Sequence, residues 1–395
     1  MKKTLKYIFH IDHLLITILT FVLVGVGYAA VMSFPIFDPL KDAMSDMSMT
    51  DYFFSLADKN SDVNQDITIV DIKDEANRGE IARIIATVDS LEPWAAGVDI
   101  TFKGIKGTPE ENEALIEAAL NTSDKVVWAT QLVDYDFDKK TYAEKRSSFF
   151  AEELGVKEGF SNLDDVNYNH KTIRKMFTLV DGDKGVLASL PVAVAQVVDS
   201  TEVKPNKKLT IDFKTKFIVV PFDSIKNNEE LIKDHIVLIG STSDEGDMWK
   251  TPLGKMPGVI LQAYSVYTVR DHNDIHYASF FINLLIAFVL CYLFELFVDL
   301  QNRWLSLHQN KPWAIFLSRS YLLVRVVTIV FMALVTWGIL VLFIHHSTYV
   351  DAILILLLLG LLTEARNIYI GAIMALSKNH NWCILKNSLF NTNKK

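Results

Sequence analysis

The chain has 395 residues, 50% of them hydrophobic, and a formal net charge of -8. That length allows one or two cored domains plus further segments, and an acidic balance argues against nucleic acid or anionic lipid as a partner. Two cysteines, Cys291 and Cys383, and no paired Cys/His spacing leave no disulfide framework and no expected metal or cofactor.

Residues 1–13 carry Lys2, Lys3 and Lys6, and residues 14–34 carry no charge at all. Three later stretches, 278–298, 321–343 and 350–375, are also predominantly apolar. About 20 such residues rising ~1.5 Å each cross a hydrocarbon layer of about 30 Å, so four transmembrane helices are predicted, one before and three after the segment 35–277. In the last, Thr363, Glu364, Ala365, Arg366 and Asn367 interrupt the apolar run. Outside 35–277, the basic residues fall at the N-terminus, in 299–320 or just after it (Arg325), or from Arg366 into the tail 376–395. The short loop 344–349 has no Lys or Arg. Positive charge marks the cytoplasmic side, which puts both termini and 299–320 in the cytoplasm and 35–277 outside it. The segment 35–277 holds 42 acidic and 27 basic residues, and both cysteines lie beyond it. An alternative for the N-terminus is a cleaved signal peptide ending near Gly27-Tyr28-Ala29.

Within 35–277, residues 35–66 read as a partly helical connector. Ile67–Ile72 is a continuous apolar run typical of a strand buried on both faces. Ile81, Ile84, Ile85 and Val88 repeat at helical spacing, Ala95–Ile100 reads as a second strand, Glu110–Leu120 as a helix and Lys125–Thr130 as a third strand. Residues 134–169 are polar and read as a surface insertion. Strands at 175–180, 209–213, 217–220 and 236–240 and helices at 187–198 and 258–270 complete an α/β domain with a mainly parallel central sheet.

The order of these pieces is similar to a known family. A strand ending in VDI (70–72), GVDITF (97–102), FTLVDGDKGVLASL (177–190) and above all IVLIGSTSDEGDMWKTPLGKMPGV (236–259) resemble the second CHASE family, extracellular sensory domains found ahead of bacterial cyclases and histidine kinases. The motif order covers residues ~67 to 375. Two departures stand out: the Trp-Pro-rich stretch of some members is ANRGEIAR here (76–83), and the chain stops about 20 to 30 residues after its last span, too short for a kinase or cyclase. The resemblance implies a non-enzymatic sensor in a bacterial plasma (inner) membrane with its domain in the periplasm. It would act on a separately encoded effector or as a subunit of an envelope complex, with self-association into a homo-oligomer compatible. A structural scaffold is the alternative, and an exported hydrolase a third.

Asp71 and Asp99 end what should be adjacent parallel strands, where ligands of open α/β sheets bind. Ser241, Thr242 and Asp247, just past 236–240, could join them around a polar ligand. The competing reading is that these residues cap helices and tie turns. Pro252, Gly254, Pro257 and Gly258 punctuate two tight turns before the helix that leads into the second span. In the membrane segments, Glu295, Asp299, Arg325, Glu364 and Arg366 lie at similar depth near the cytoplasmic side. Charges in such segments pair or mark function, so they are expected to form one cluster locking the helices.

Overall fold

In the computed structural model the described residues are 6–34, 48–59, 61–73, 76–136, 141–163, 172–182, 185–199, 208–320, 322–377 and 387–390. They form two compact units: Thr50–His276, and Met1–Met49 together with Tyr277–Lys395.

The chain opens with helix α1 (Ile11–Ser33) and reaches the α/β domain through α2 (Met49–Asp58). The predicted connector is thus part of the domain where it is described. Phe53 and Phe54 of α2 are fully buried, Phe54 packs edge-on against Phe213, and Asp51 takes a two-pronged hydrogen bond from Arg174 at 2.7 and 2.5 Å. Then follow β1 (Val63–Ile72), α3 (Arg78–Ser90), β2 (Ala95–Val98), α4 (Pro109–Asn121), β3 (Val126–Asp136), β4 (Thr141–Arg146), the single turn α5 (Ala151–Leu154) and β5 (Glu158–Phe160). After these come β6 (Lys175–Phe177), β7 (Leu179–Gly182), β8 (Gly185–Ala188), α6 (Leu190–Val198), β9 (Lys208–Thr210), β10 (Lys216–Pro221), β11 (Ile236–Ser241), the pair β12 (Met248–Thr251) and β13 (Gly254–Pro257), and α7 (Gly258–Arg270). The helix starts have local causes. Asn77 with Glu80, and Thr108 with Glu111, form reciprocal capping boxes, and Pro109 supplies a preset φ at the first turn of α4.

The main sheet runs β10-β1-β11-β2-β3-β4-β7-β8, with β5 also on β3. From β10 to β3 all neighbours are parallel. Alternate side chains serve opposite faces. Val70, Val98, Trp128 and Ile239 join α3 and α4 on one side, while Ile69, Ala95, Val127 and Leu238 join α6 and α7 on the other. Burying each such aliphatic or aromatic side chain contributes on the order of 1.5–3 kcal/mol.

Three expectations change. The strands bearing Asp71 and Asp99 are not neighbours, because β11 pairs with both β1 and β2. Ile236–Gly240 is buried at every position, and an uninterrupted apolar strand is satisfied only in a central slot. The region 134–169 is not a surface insertion where it is described: β3 runs on to Asp136, β4 pairs with it antiparallel and β5 parallel; residues 137–140 and 164–169 lie outside the described residues. The strand expected over 175–180 is two, β6 and β7, on different sheets.

The other unit holds α1, α8 (Phe280–Leu307), α9 (Pro312–Ser320), α10 (Leu322–His346) and α11 (Ala352–Ser377). Among the described residues, α1, α8, α10 and α11 are the four helices with the length and apolar character to cross a membrane. α8 continues to Leu307 and α9 follows, so most of 299–320, expected as a loop, is helical. α1, α8 and α11 pack on one another, and α10 packs on α11.

Candidate functional site

At the carboxyl ends of the parallel strands lies a cavity of about 920 Å³, where open parallel sheets leave a crevice. Asp99 follows β2, Ser241 ends β11, Asp244 and Asp247 sit on the turn after it, Trp249 is on β12, and Gly258 and Gln262 lie on the first turns of α7; all line the cavity. Gln131 of β3 and Ser161 and Asn162 after β5 complete the polar wall.

Local geometry holds Asp247 in place. The pair β12–β13 closes through Thr251 and Gly254, with the Thr251 hydroxyl donating to the Gly254 carbonyl at 2.7 Å and Gly254 at φ +109°, a backbone region suited to glycine. This tight turn brings Gly258 back beside Asp247. A Cβ at position 258 would lie 2.2 Å from Asp247 Oδ2, so only glycine admits the carboxylate there. The Gly258 N–H donates to that carboxylate, and Trp249 Nε1 donates to Asp247 Oδ1 at 2.7 Å. Burial raises the Asp247 carboxyl and the charge of Asp244 adds to this, while the two N–H donors oppose it. Burial, reinforced by the charge of Asp247, pushes Asp99 up to about 8. Burial and the neighbouring charge thus favour the protonated form of Asp99.

The five residues expected to bind a ligand divide. Asp99, Ser241 and Asp247 line the cavity; Asp71 and Thr242 do not. Asp71 Oδ1 accepts from the Thr242 N–H at 2.8 Å, which ties the end of β1 to the turn after β11. Ser241 Oγ likewise accepts from the N–H groups of Ser243 and Asp244 at 3.2 and 3.1 Å. With β11 between them, Asp71 and Asp99 stand about two strand spacings, ~9.6 Å, apart and do not share one reacting centre. Gln262 and Trp249 were missed by the sequence reading. A lone amide in the apolar run VILQAYSV was the available signal.

Among the helices of the other unit, Glu295, Asp299 and Arg366 come together. Arg366 Nη2 donates to Asp299 Oδ1 at 2.7 Å, and its Nη1 donates to Glu295 Oε1. Arg303 Nε reaches Asp299 Oδ2 at 2.8 Å, the Tyr7 hydroxyl donates to Asp299, and His13 Nδ1 lies 3.5 Å from Glu295 Oε1. Beside them the buried Asp12 accepts from the Tyr369 hydroxyl at 2.8 Å, the Ser388 hydroxyl at 3.0 Å and the Leu389 N–H at 2.6 Å. Arg325 and Glu364 do not join: both are exposed. Glu364 stands two residues from Arg366, and such positions do not share a helix face. Tyr7, Asp12 and His13 precede the uncharged run that begins at Leu14, so the apolar pattern carries no signal for them. Cleavage near Ala29 would take all three from the cluster.

The CHASE2 domain family matches residues 19–295, from within α1 to within α8. The likeness thus begins and ends earlier than the order of motifs suggested, and α10 and α11 lie beyond it. No curated protein and no solved structure matches the chain. With well over half of its length matched, the chain belongs to the CHASE2 family of extracellular sensory domains.

Proposed function

We propose that the α/β domain is a sensor that binds a small polar ligand in the cavity between Asp99, Asp247 and Gln262, and that it signals to a separate effector protein through the membrane helices. The cavity carries this reading. It has the volume of a small-molecule site, sits outside the carboxyl ends of a parallel sheet, and is walled by polar groups from β2, β11, β12 and α7. The same α7 that supplies Gln262 is followed along the chain, after nine residues, by α8. A ligand that changes the order of α7 therefore acts on the segment entering the second span.

The domain is placed outside the plasma membrane and both termini in the cytoplasm, in a bacterium with the domain in the periplasm. The distribution of Lys and Arg supports this. Cysteines introduced at Lys226 and Lys311 test it: an impermeant maleimide on intact cells should label the first and spare the second.

For the sensor itself, the full chain in detergent is screened for thermal stabilisation, since a ligand that favours the folded state raises its melting temperature. Hydrogen exchange should then show protection concentrated in residues 241–262. A compound library without effect, together with a stoichiometric protein partner that protects the same residues, would replace the sensor by the scaffold reading.

A further inference from the structure

The cavity presents acceptors that nothing in the protein fills. The Asp99 carboxylate makes no hydrogen bond among the described residues. Gln262 is 1% exposed; its amide nitrogen donates to the Ser161 carbonyl at 3.0 Å, yet its Oε1 has no partner among them. A buried amide oxygen left bare costs on the order of 1–3 kcal/mol, which a donor brought in by a ligand would recover. Four carboxylates line the space, Asp99, Asp134, Asp244 and Asp247, against one lysine, Lys73. That lysine is 66% exposed and directed elsewhere, 3.6 Å from Asp223 and 4.9 Å from the centre of the Phe222 ring. Trp249 adds an aromatic wall, a surface that favours cations.

We propose that the ligand is an organic cation, a small aliphatic amine, whose ammonium is held between Asp99 and Asp247 with Gln262 Oε1 as the third acceptor. This rests on the cavity being the sensor's ligand site. An ammonium has three N–H donors, matching these three acceptors. A neutral polyol would bring no charge to balance Asp247 and would leave Asp99 protonated. A divalent ion fits less well: calcium takes six to eight oxygens, and no group of three metal-binding side chains is positioned for one among the described residues.

Binding has a proton balance. Below about 8 Asp99 carries a proton, and an arriving ammonium displaces it to solvent. The charge that moves this titration, after burial itself, is Asp247 after β11; the other charged groups on the cavity wall are Asp244 after β11, Lys73 next to the end of β1 and Asp134 of β3. Affinity therefore rises by up to about tenfold per pH unit towards pH 8 and levels off above it, until the amine itself loses its proton near about 10.

The test uses the full chain in lipid nanodiscs with 1,4-diaminobutane and ethanolamine, with 1,4-butanediol as the uncharged counterpart of the first and calcium chloride as the inorganic cation. The amines should raise the melting temperature, more at about pH 8 than at about pH 6, and calorimetry in two buffers should show proton release on binding. Asp247→Asn and Gln262→Leu should each weaken amine binding at least about tenfold; their own melting temperatures without ligand separate lost binding from lost folding. Stabilisation by the diol or calcium but not by the amines would overturn the cationic ligand and leave the sensor standing. No stabilisation by millimolar amine at about pH 8 also overturns it, while the library screen decides the sensor independently.

Discussion

Two groups of carboxylates are treated in opposite ways: Glu295 and Asp299 are buried among the apolar helices, whereas Asp99 and Asp247 are half-buried at the cavity. Among the apolar helices, Glu295 and Asp299 meet Arg366, Arg303, Tyr7 and His13 from the same unit, so that of their four carboxylate oxygens Glu295 Oε2 alone is bare among the described residues. In the α/β domain, Asp247 meets two N–H donors, while Asp99 meets only the charge of Asp247. An internal cation makes a buried carboxylate a structural tie. Without one, the charge is left to be balanced by a proton or by something from solvent. The first arrangement ties helices to one another; the second leaves acceptors open at the cavity, which the proposed sensor would use.

The largest effect should come from taking the cation out of the bundle. Arg366→Leu leaves the buried Glu295 without a guanidinium and Asp299 with Arg303 and Tyr7 alone, a loss of about 3–5 kcal/mol, seen as a lower melting temperature and aggregated protein on gel filtration from detergent. An unchanged variant would erase the contrast. Next is Gly258→Ala, whose Cβ would collide with Asp247 Oδ2. Displacing that carboxylate should cost about 1–3 kcal/mol, and ligand response should be lost with it.

The third prediction concerns pH. The folded-state pKa of Asp99 lies above its ordinary value, so between about 4 and 8 the folded protein holds more protons than the unfolded one and stability falls as pH rises. Asp99→Asn should flatten that fall by a fraction of about 1.4 kcal/mol per pH unit, measured by thermal melts across the window. An unchanged slope in the variant would show that the folded protein does not hold Asp99 protonated across this window. The smallest effects belong to Arg325→Leu and Glu364→Gln, each within about 0.5 kcal/mol of the parent, since both side chains are exposed. A larger loss would bring them back into the cluster.

Some of this was legible along the chain. Apolar runs of spanning length are a local property, and α1, α8, α10 and α11 fall where 14–34, 278–298, 321–343 and 350–375 were marked. Helices α4 and α7 are bounded by Thr108-Pro109 and by Pro257-Gly258, again local signals. Asp99, Ser241 and Asp247 were reachable because strand ends in α/β sheets face the crevice. What lay beyond the sequence was pairing. β11 enters between β1 and β2 from nearly 140 residues away and so separates the two aspartates that seemed to belong together. The partner of Arg366 depends on which face of each helix turns inward, and Gln262 became part of a site only because a tight turn swung α7 over the strand ends. Periodicity, length and capping are set by near neighbours and are written in the chain. Which carboxylate finds a cation and which is left open is set by contacts between distant segments, and only the folded structure decides that.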